Sequence, residues 1–245
     1  MQHQRSPSKQ PSTVWNLERE KVQSEISQRR YVVFAHEAMK GFARRLEESD
    51  PDRFLMFPIH WDKFPDGTDN ITIEGFSPTN CIAGQHVIFF ASFYDNDVTL
   101  SQFSALIVLL QSFIESLTIV LPFYPVGTME RVDEEGKVAT ANTYSILLSN
   151  LPTVGKPTRL MIYDIHALQN RFYFHSSMIP SLHTTVPLLK PRLDANGITS
   201  ICFPDDGAAK RFKSFFKTFD IIICGKVRDG DKRRVTIQDG EPTGK

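Results

Sequence analysis

Residues 200–212 read SICFPDDGAAKRF: a short apolar run (Ile201, Cys202, Phe203), a turn with two adjacent acids (Asp205, Asp206) and a glycine (Gly207), then a helix-forming stretch with Lys210 and Arg211. Strand, turn and helix in that order are the unit of a parallel α/β sheet. In such sheets ligands bind outside the carboxyl ends of the strands, beside the N-termini of the helices that follow. An acid at this turn has two readings. Its carboxylate can cap the helix by accepting from the orphan amides of the first turn, or it can hold Mg²⁺ or a sugar hydroxyl. Caps are the commoner outcome. The ligand reading gains weight from a second turn of the same kind earlier in the chain.

Outward from this stretch the same alternation recurs. Downstream, the apolar strand 220–224 runs on into Gly225-Lys226-Val227-Arg228. Upstream lie a helix at 186–193, a strand at 160–165, a helix at 139–151 and a strand at 118–123. Before those come an almost wholly apolar helix at 100–117 and a strand at 86–91. A strand at 71–75 follows a Pro-Asp-Gly turn at 65–67. The first strand, 31–35, leads into an amphipathic helix at 36–49 with Ala38, Phe42, Ala43 and Leu46 on one face. Near-continuous apolar strands alternating with helices predict a mainly parallel sheet covered on both faces, an α/β fold of the doubly wound kind. The apolar helix at 100–117 is explained by burial against the sheet or by a subunit interface. Residues 1–14 are polar and lack acids, and 15–30 are charged with weak helical spacing; 1–30 is expected to be a disordered or weakly helical extension.

The totals restrict the function. With 245 residues the chain can bury one large core or two modest ones. Lys plus Arg and Asp plus Glu both number 28, which argues against broad nucleic-acid or anionic-membrane binding. No apolar run reaches a membrane span of ~18 residues, the longest being broken by Gln111, Ser112 and Glu115. The three cysteines, Cys81, Cys202 and Cys224, are widely spaced in apolar runs and read as small buried residues in a reducing compartment, with neither metal spacing nor a disulfide framework. A cytoplasmic protein is expected.

Polar clusters follow three of the strands. Gly127, Thr128, Glu130 and Arg131 come after 118–123; Asp164, His166 and Gln169 after 160–165; Asp205 and Asp206 after 199–203. All three are expected to lie on the same edge of a parallel sheet, so these clusters can converge on one crevice. Lys226 and Arg228, two residues apart on an extended segment, point the same way and suit a polyphosphate. His166 by itself reads equally as a structural histidine, and Lys232-Arg233-Arg234 as a solvated surface.

Five segments in this order resemble ribose-phosphate diphosphokinase, the family that makes phosphoribosyl pyrophosphate from ATP and ribose 5-phosphate: FPDG at 64–67, LPFYPVGTMER at 121–131, YDIHALQNRFYF at 163–174, FPDDGAAKRF at 203–212 and GKVRDGDKR at 225–233. The resemblance runs from about residue 31 to the C-terminus and is nearest to the divergent plant and protist branch. It implies two related phosphoribosyltransferase-like domains, 31–183 and 184–245, with the second incomplete, and Mg²⁺ as cofactor. It assigns Phe64, Asp66 and Gly67 to the loop that reaches ATP on a neighbouring subunit, with Thr68 where the family usually has an acid. The family's YARQD loop reads YPVGTMERV here, which makes Thr128, Glu130 and Arg131 the ATP contacts. The resemblance further assigns His166 and Asp205 to Mg²⁺, Asp205 and Asp206 to the ribose phosphate, and Lys226 and Arg228 to the catalytic basic pair. The implied partners are ATP, ribose 5-phosphate and further subunits, identical or homologous.

One departure is large. The family continues into an acidic, Gly-rich loop that cradles the 5-phosphate of ribose, and no segment of this sequence matches it. The expectation is therefore either an enzyme or, as the rival, a non-catalytic regulatory subunit or inactive fragment. A phosphoribosyltransferase, which consumes the same product, is the third reading.

Overall fold

The computed structural model describes residues 31–229 and 232–243, and side chains outside 226–234. The extension expected at 1–30 lies outside the described residues. The chain divides into two compact units after His183.

The first unit runs β1 (Tyr31–Ala35), a 3₁₀ turn (Glu37–Met39), α1 (Lys40–Ser49), β2 (Phe54–Met56), β3 (Ile59–Lys63), β4 (Asp69–Ile73), β5 (His86–Phe90), α2 (Asn96–Leu110) and β6 (Ser116–Leu121). It continues with a 3₁₀ turn (Pro125–Thr128), α3 (Thr140–Ser149), β7 (Thr158–Tyr163), a 3₁₀ segment (Leu168–Tyr173) and β8 (Met178–His183). Six strands form one sheet in the order β2-β1-β5-β6-β7-β8, and every neighbouring pair is parallel. The hairpin β3-β4 stands apart as a two-stranded sheet.

Because side chains alternate across a strand, β1 and β5 feed two cores, while β6 and β7 feed the first alone. Val32, Phe34, Val87, Phe89, Leu117, Ile119, Leu121, Leu160 and Ile162 pack with Phe103, Leu106 and Leu109 of α2 and with Ala141 and Leu148 of α3. On the other side, Val33 and Ala35 pack with Met39 and with Ala43 of α1, against Ile88 and Phe90. Largely buried strands of this kind are why the sequence reads as continuous apolar runs.

The helix expected at 100–117 ends at Leu110, and β6 already begins at Ser116. Phe113 breaks the run by adopting a left-handed backbone, φ 62°, rare for a bulky residue. At the other end the helix starts earlier, at Asn96, capped by the Asp95 carboxylate accepting from the Asp97 amide at 2.8 Å.

The second unit holds α4 (Val186–Ala195), β9 (Ser200–Phe203), α5 (Asp206–Phe212), β10 (Asp220–Asp229) and β11 (Lys232–Asp239). Its sheet is three-stranded, β11-β10-β9, with β9 and β10 parallel and β11 antiparallel to β10. Its core is Val186, Phe203, Ala209, Phe216 and Phe219. The strand of the opening stretch thus lies in a different sheet from β6 and β7, which corrects the expectation that all three polar clusters share one sheet edge.

Candidate functional site

The loops after β6 and β7 meet at the carboxyl edge of the parallel sheet. Gly127 lies where they touch: a Cβ there would lie in van der Waals contact, 3.4 Å from Tyr124 Cδ1, 3.6 Å from Ile165 Cγ1 and 3.8 Å from His166 Cβ, leaving no room for a longer side chain. The Asn170 amide nitrogen, fully buried, then donates to the Gly127 carbonyl at 3.1 Å and to the Ala167 carbonyl at 3.0 Å, tying one loop to the other. The Tyr173 hydroxyl donates to the Glu130 carbonyl. Tyr124, buried beneath, donates to the Ala141 carbonyl at 3.1 Å and sits 3.2 Å from Ser145 Oγ, which anchors the first loop on α3. Burial pushes its phenol up to about 12, so it is a neutral anchor at physiological pH.

Between these loops opens a cleft of about 590 Å³ lined by Thr128, Met129, Glu130, Arg131, Asp133, Lys137, Val138 and His166. Four residues singled out in the sequence, Thr128, Glu130, Arg131 and His166, are therefore together. Glu130 is 7% exposed, while Arg131, 80% exposed, brings its Nε to 3.3 Å from Glu130 Oε1. Lys137 Nζ lies 2.8 Å from Asp133 Oδ1 and 3.4 Å from Glu134 Oε2. Sequence reasoning missed Asp133 and Lys137, which sit in a charged, turn-like segment with no strand end beside it. Asp164, just after β7, has φ 44°, a left-handed backbone that only a few residue types adopt and that turns the chain toward the cleft-lining His166.

Phe64 and Asp66 are not among the cleft residues; they sit at the β3-β4 turn, with Phe64 half exposed. Asp66 Oδ1 accepts from the Thr68 hydroxyl at 2.6 Å and the Thr68 amide at 2.9 Å, and the hydroxyl bond is the larger reason its carboxyl is held below the usual range. A threonine at 68 supplies that hydroxyl donor, which an ionised acid lacks.

In the second unit Asp205 caps α5, its Oδ1 accepting from the Ala208 amide at 2.9 Å. Asp206 is exposed and lies 2.5 Å from Lys210 Nζ one turn on. The Lys226 and Arg228 backbones pair with Val235 and Arg233 of β11; their side chains lie outside the description. Among the described residues no group of three or more His, Cys, Asp or Glu is placed to hold a metal.

No protein-family model matches the sequence. Among curated proteins, it is 49% identical over 199 residues to ribose-phosphate pyrophosphokinase 4 of Oryza sativa subsp. japonica, covering 79% of this chain and 60% of the relative. The chain is a homologue of the ribose-phosphate pyrophosphokinases. Another relative, ribose-phosphate pyrophosphokinase 4 of Arabidopsis thaliana, is 40% identical, with 91% of this chain and 66% of the relative covered. The chloroplastic ribose-phosphate pyrophosphokinase 3 of Arabidopsis thaliana is 44% identical, with 89% and 53% covered. This pyrophosphokinase homologue spans between about half and two thirds of the length of the curated relatives it matches. Among solved structures, phosphoribosylpyrophosphate synthetase from Mycobacterium smegmatis shares the fold, with a TM-score of 0.66, 17% identity, and coverage of 84% of this chain and 66% of that one.

Proposed function

We propose that this pyrophosphokinase homologue acts as a ribose-phosphate diphosphokinase, transferring the diphosphoryl group of MgATP to ribose 5-phosphate and releasing AMP. The observation that carries the reading is the cleft that gathers Thr128, Glu130, Arg131 and His166 at the ends of β6 and β7. It is supported by 40–49% identity to proteins of that name.

The chemistry asks little covalent work of the protein. The ribose 1-hydroxyl attacks the β-phosphorus, the bond to the bridging oxygen of AMP breaks, and the proton of the hydroxyl is lost; alignment and charge neutralisation supply most of the rate. Arg131 and Lys137 are the cations for the nucleotide phosphates. The pairs of Lys137 with Asp133 and Glu134 join exposed side chains, and such pairs contribute only about 0–1 kcal/mol, so a phosphate displaces them at little cost. Thr128 and the Glu130 carboxylate orient the nucleotide. Lys226 and Arg228 neutralise charge on the transferred group. In the second unit Asp205 and Asp206 are the residues for the ribose hydroxyls.

His166 in the first unit and Asp205 in the second are each proposed as a Mg²⁺ donor, and the ion would supply charge neutralisation at the phosphates. The reading draws on the chemistry of the donors: Mg²⁺ is usually bound through one or two carboxylates together with substrate phosphates and its own waters. Phe64 and Asp66, at the hairpin turn, would contact a nucleotide on a neighbouring copy. The cytoplasmic location is part of the proposal, since the relatives include proteins named chloroplastic and mitochondrial.

The test is ³¹P NMR of the purified chain with Mg²⁺, ATP and ribose 5-phosphate. AMP together with a diphosphate on C1 is expected. Bound ATP without product overturns catalysis by this chain. It favours a second reading, a regulatory subunit of a complete homologue, for which the altered loop at 126–131, VGTMER where the family carries its Arg-Gln contacts, is the motivating observation. Co-elution with such a homologue on size exclusion, with altered activity, separates that reading from simple inactivity.

A further inference from the structure

The sequence presents its cysteines as buried and unrelated, yet Cys202 and Cys224 face each other with 3.4 Å between their sulfurs, both reduced. Cys202 is exposed and Cys224 is buried, which corrects the expectation that all three are buried. Their meeting follows from the strand register. Cys202 of β9 pairs with Ile222 of β10, and Cys224 lies two residues on, on the same face. Phe203, Ile201, Ile221 and Ile223 point into the core under α4 and α5, so the two sulfurs stand on the opposite face of the sheet. The pairing of β10 with β11 shifts between Ile223 and Cys224, an irregularity of the kind that re-aims side chains.

We propose that Cys202 and Cys224 are a reversible oxidation site that closes to an intrachain disulfide. The sulfurs need to approach by roughly 1.3 Å to reach bonding distance. Among the described residues no third His, Cys, Asp or Glu completes a metal site there, so the pair is a dithiol and no zinc centre. The oxidant is a low-molecular-weight disulfide such as glutathione disulfide. Cys202 is the accessible sulfur, and its thiolate attacks one sulfur of the oxidant and releases one thiol. The Cys224 thiolate then attacks Cys202 Sγ and releases the second. Two electrons pass to the oxidant, the two thiol protons pass through solvent to the two thiols released, and excess thiol runs both steps backwards. The hydrogen bond to Cys224, and next burial, push the Cys202 thiol up, so closure accelerates as the medium becomes alkaline.

The location gives the bond a consequence. β9 ends at Phe203, opposite Ile223, and β10 continues beyond it as a ribbon paired with β11 alone as far as Asp229. Cys224 is the first residue of that ribbon, and Lys226 is two residues further along. Oxidation therefore ties the ribbon's root to β9.

The experiment equilibrates the full chain in glutathione buffers of graded ratio, quenches by alkylation in denaturant, and maps peptides without reduction. The expected result is a peptide joined through Cys202 and Cys224, loss of two alkylatable thiols with Cys81 still free, and full recovery with dithiothreitol. Amide hydrogen exchange should also slow in β10 on oxidation. In Cys202→Ser, and in Cys202→Ala as a second exposed-site variant, both remaining thiols stay alkylatable. The proposal is overturned by glutathione adducts on Cys202 with no intrachain bond at any ratio, or by bonds that form only through Cys81 or between chains.

Discussion

At Asp205 one carboxylate answers two demands. The cap is visible, with Oδ1 on the Ala208 amide, and the ribose and Mg²⁺ role is proposed. Asn caps about as well as Asp, whereas Ala forfeits about 1 kcal/mol. Asp205→Ala is therefore expected to lower the urea midpoint and Asp205→Asn to leave it near the parent value, while both lose Mg²⁺-dependent nucleotide binding by calorimetry. Equal binding by Asp205→Asn and the parent would leave the residue a cap alone. Lys137 belongs at the same scale: with both its partners exposed, Lys137→Ala is expected to weaken MgATP roughly 10- to 150-fold, about one charge-assisted contact, with no change in melting. His36 carries a pH dependence. Burial holds its imidazole below the ordinary value, outweighing the opposing charge of Glu37, and the ring lies 5.1 Å from Trp61. The unfolded chain then binds the proton more readily, so stability rises with pH through the window below the unfolded value of about 6.5 and is lost on acidification. Urea midpoints at pH 7 and 5.5 should differ less in His36→Gln than in the parent.

Among the elements, the loops after β6 and β7 are held by few contacts. Asn170→Ala removes both the bond to Gly127 and the bond to Ala167. A loss of about 1–3 kcal/mol is expected from the buried carbonyl left unsatisfied, together with weaker nucleotide binding as the loops separate. Gly127→Leu should weaken binding more than Gly127→Ala, because only the longer side chain must push through Ile165 and His166; fluorescence titration of a labelled nucleotide ranks the two. The elements also explain what was legible. β1 is buried on both faces, and β5, β6 and β7 each bury one face and half-cover most of the other, so they stand out as apolar runs. The junction of α2 and β6 was misplaced because helix and strand draw on the same apolar residues, and periodicity cannot part them until Phe113 turns. β8 escaped notice because Pro180, Ser181 and His183 interrupt its apolar character, and β11 because Lys232-Arg233-Arg234 reads as a charge run. In the cleft, Thr128, Glu130, Arg131 and His166 were found because they follow strands. Lys137 and Asp133 were not, since a loop brings them there by a path that only the folded chain reveals.

For the whole molecule, the all-parallel sheet of the first unit sets a timetable. Antiparallel neighbours can close through a short turn, and in this unit β3 and β4 do so; each parallel neighbour must wait for an intervening crossover. Val32 pairs with Val87 across β1 and β5, and Val33 and Phe34 beside it are wholly buried in the finished fold. At ribosomal speeds of about 5–20 residues per second, β1 emerges on the order of 3–10 s before its β5 partner. Throughout that interval one edge of this apolar strand stays open even once β2 has covered the other, the kind of segment that holdase chaperones bind, so the order of synthesis makes the opening strand the point where aggregation competes with folding.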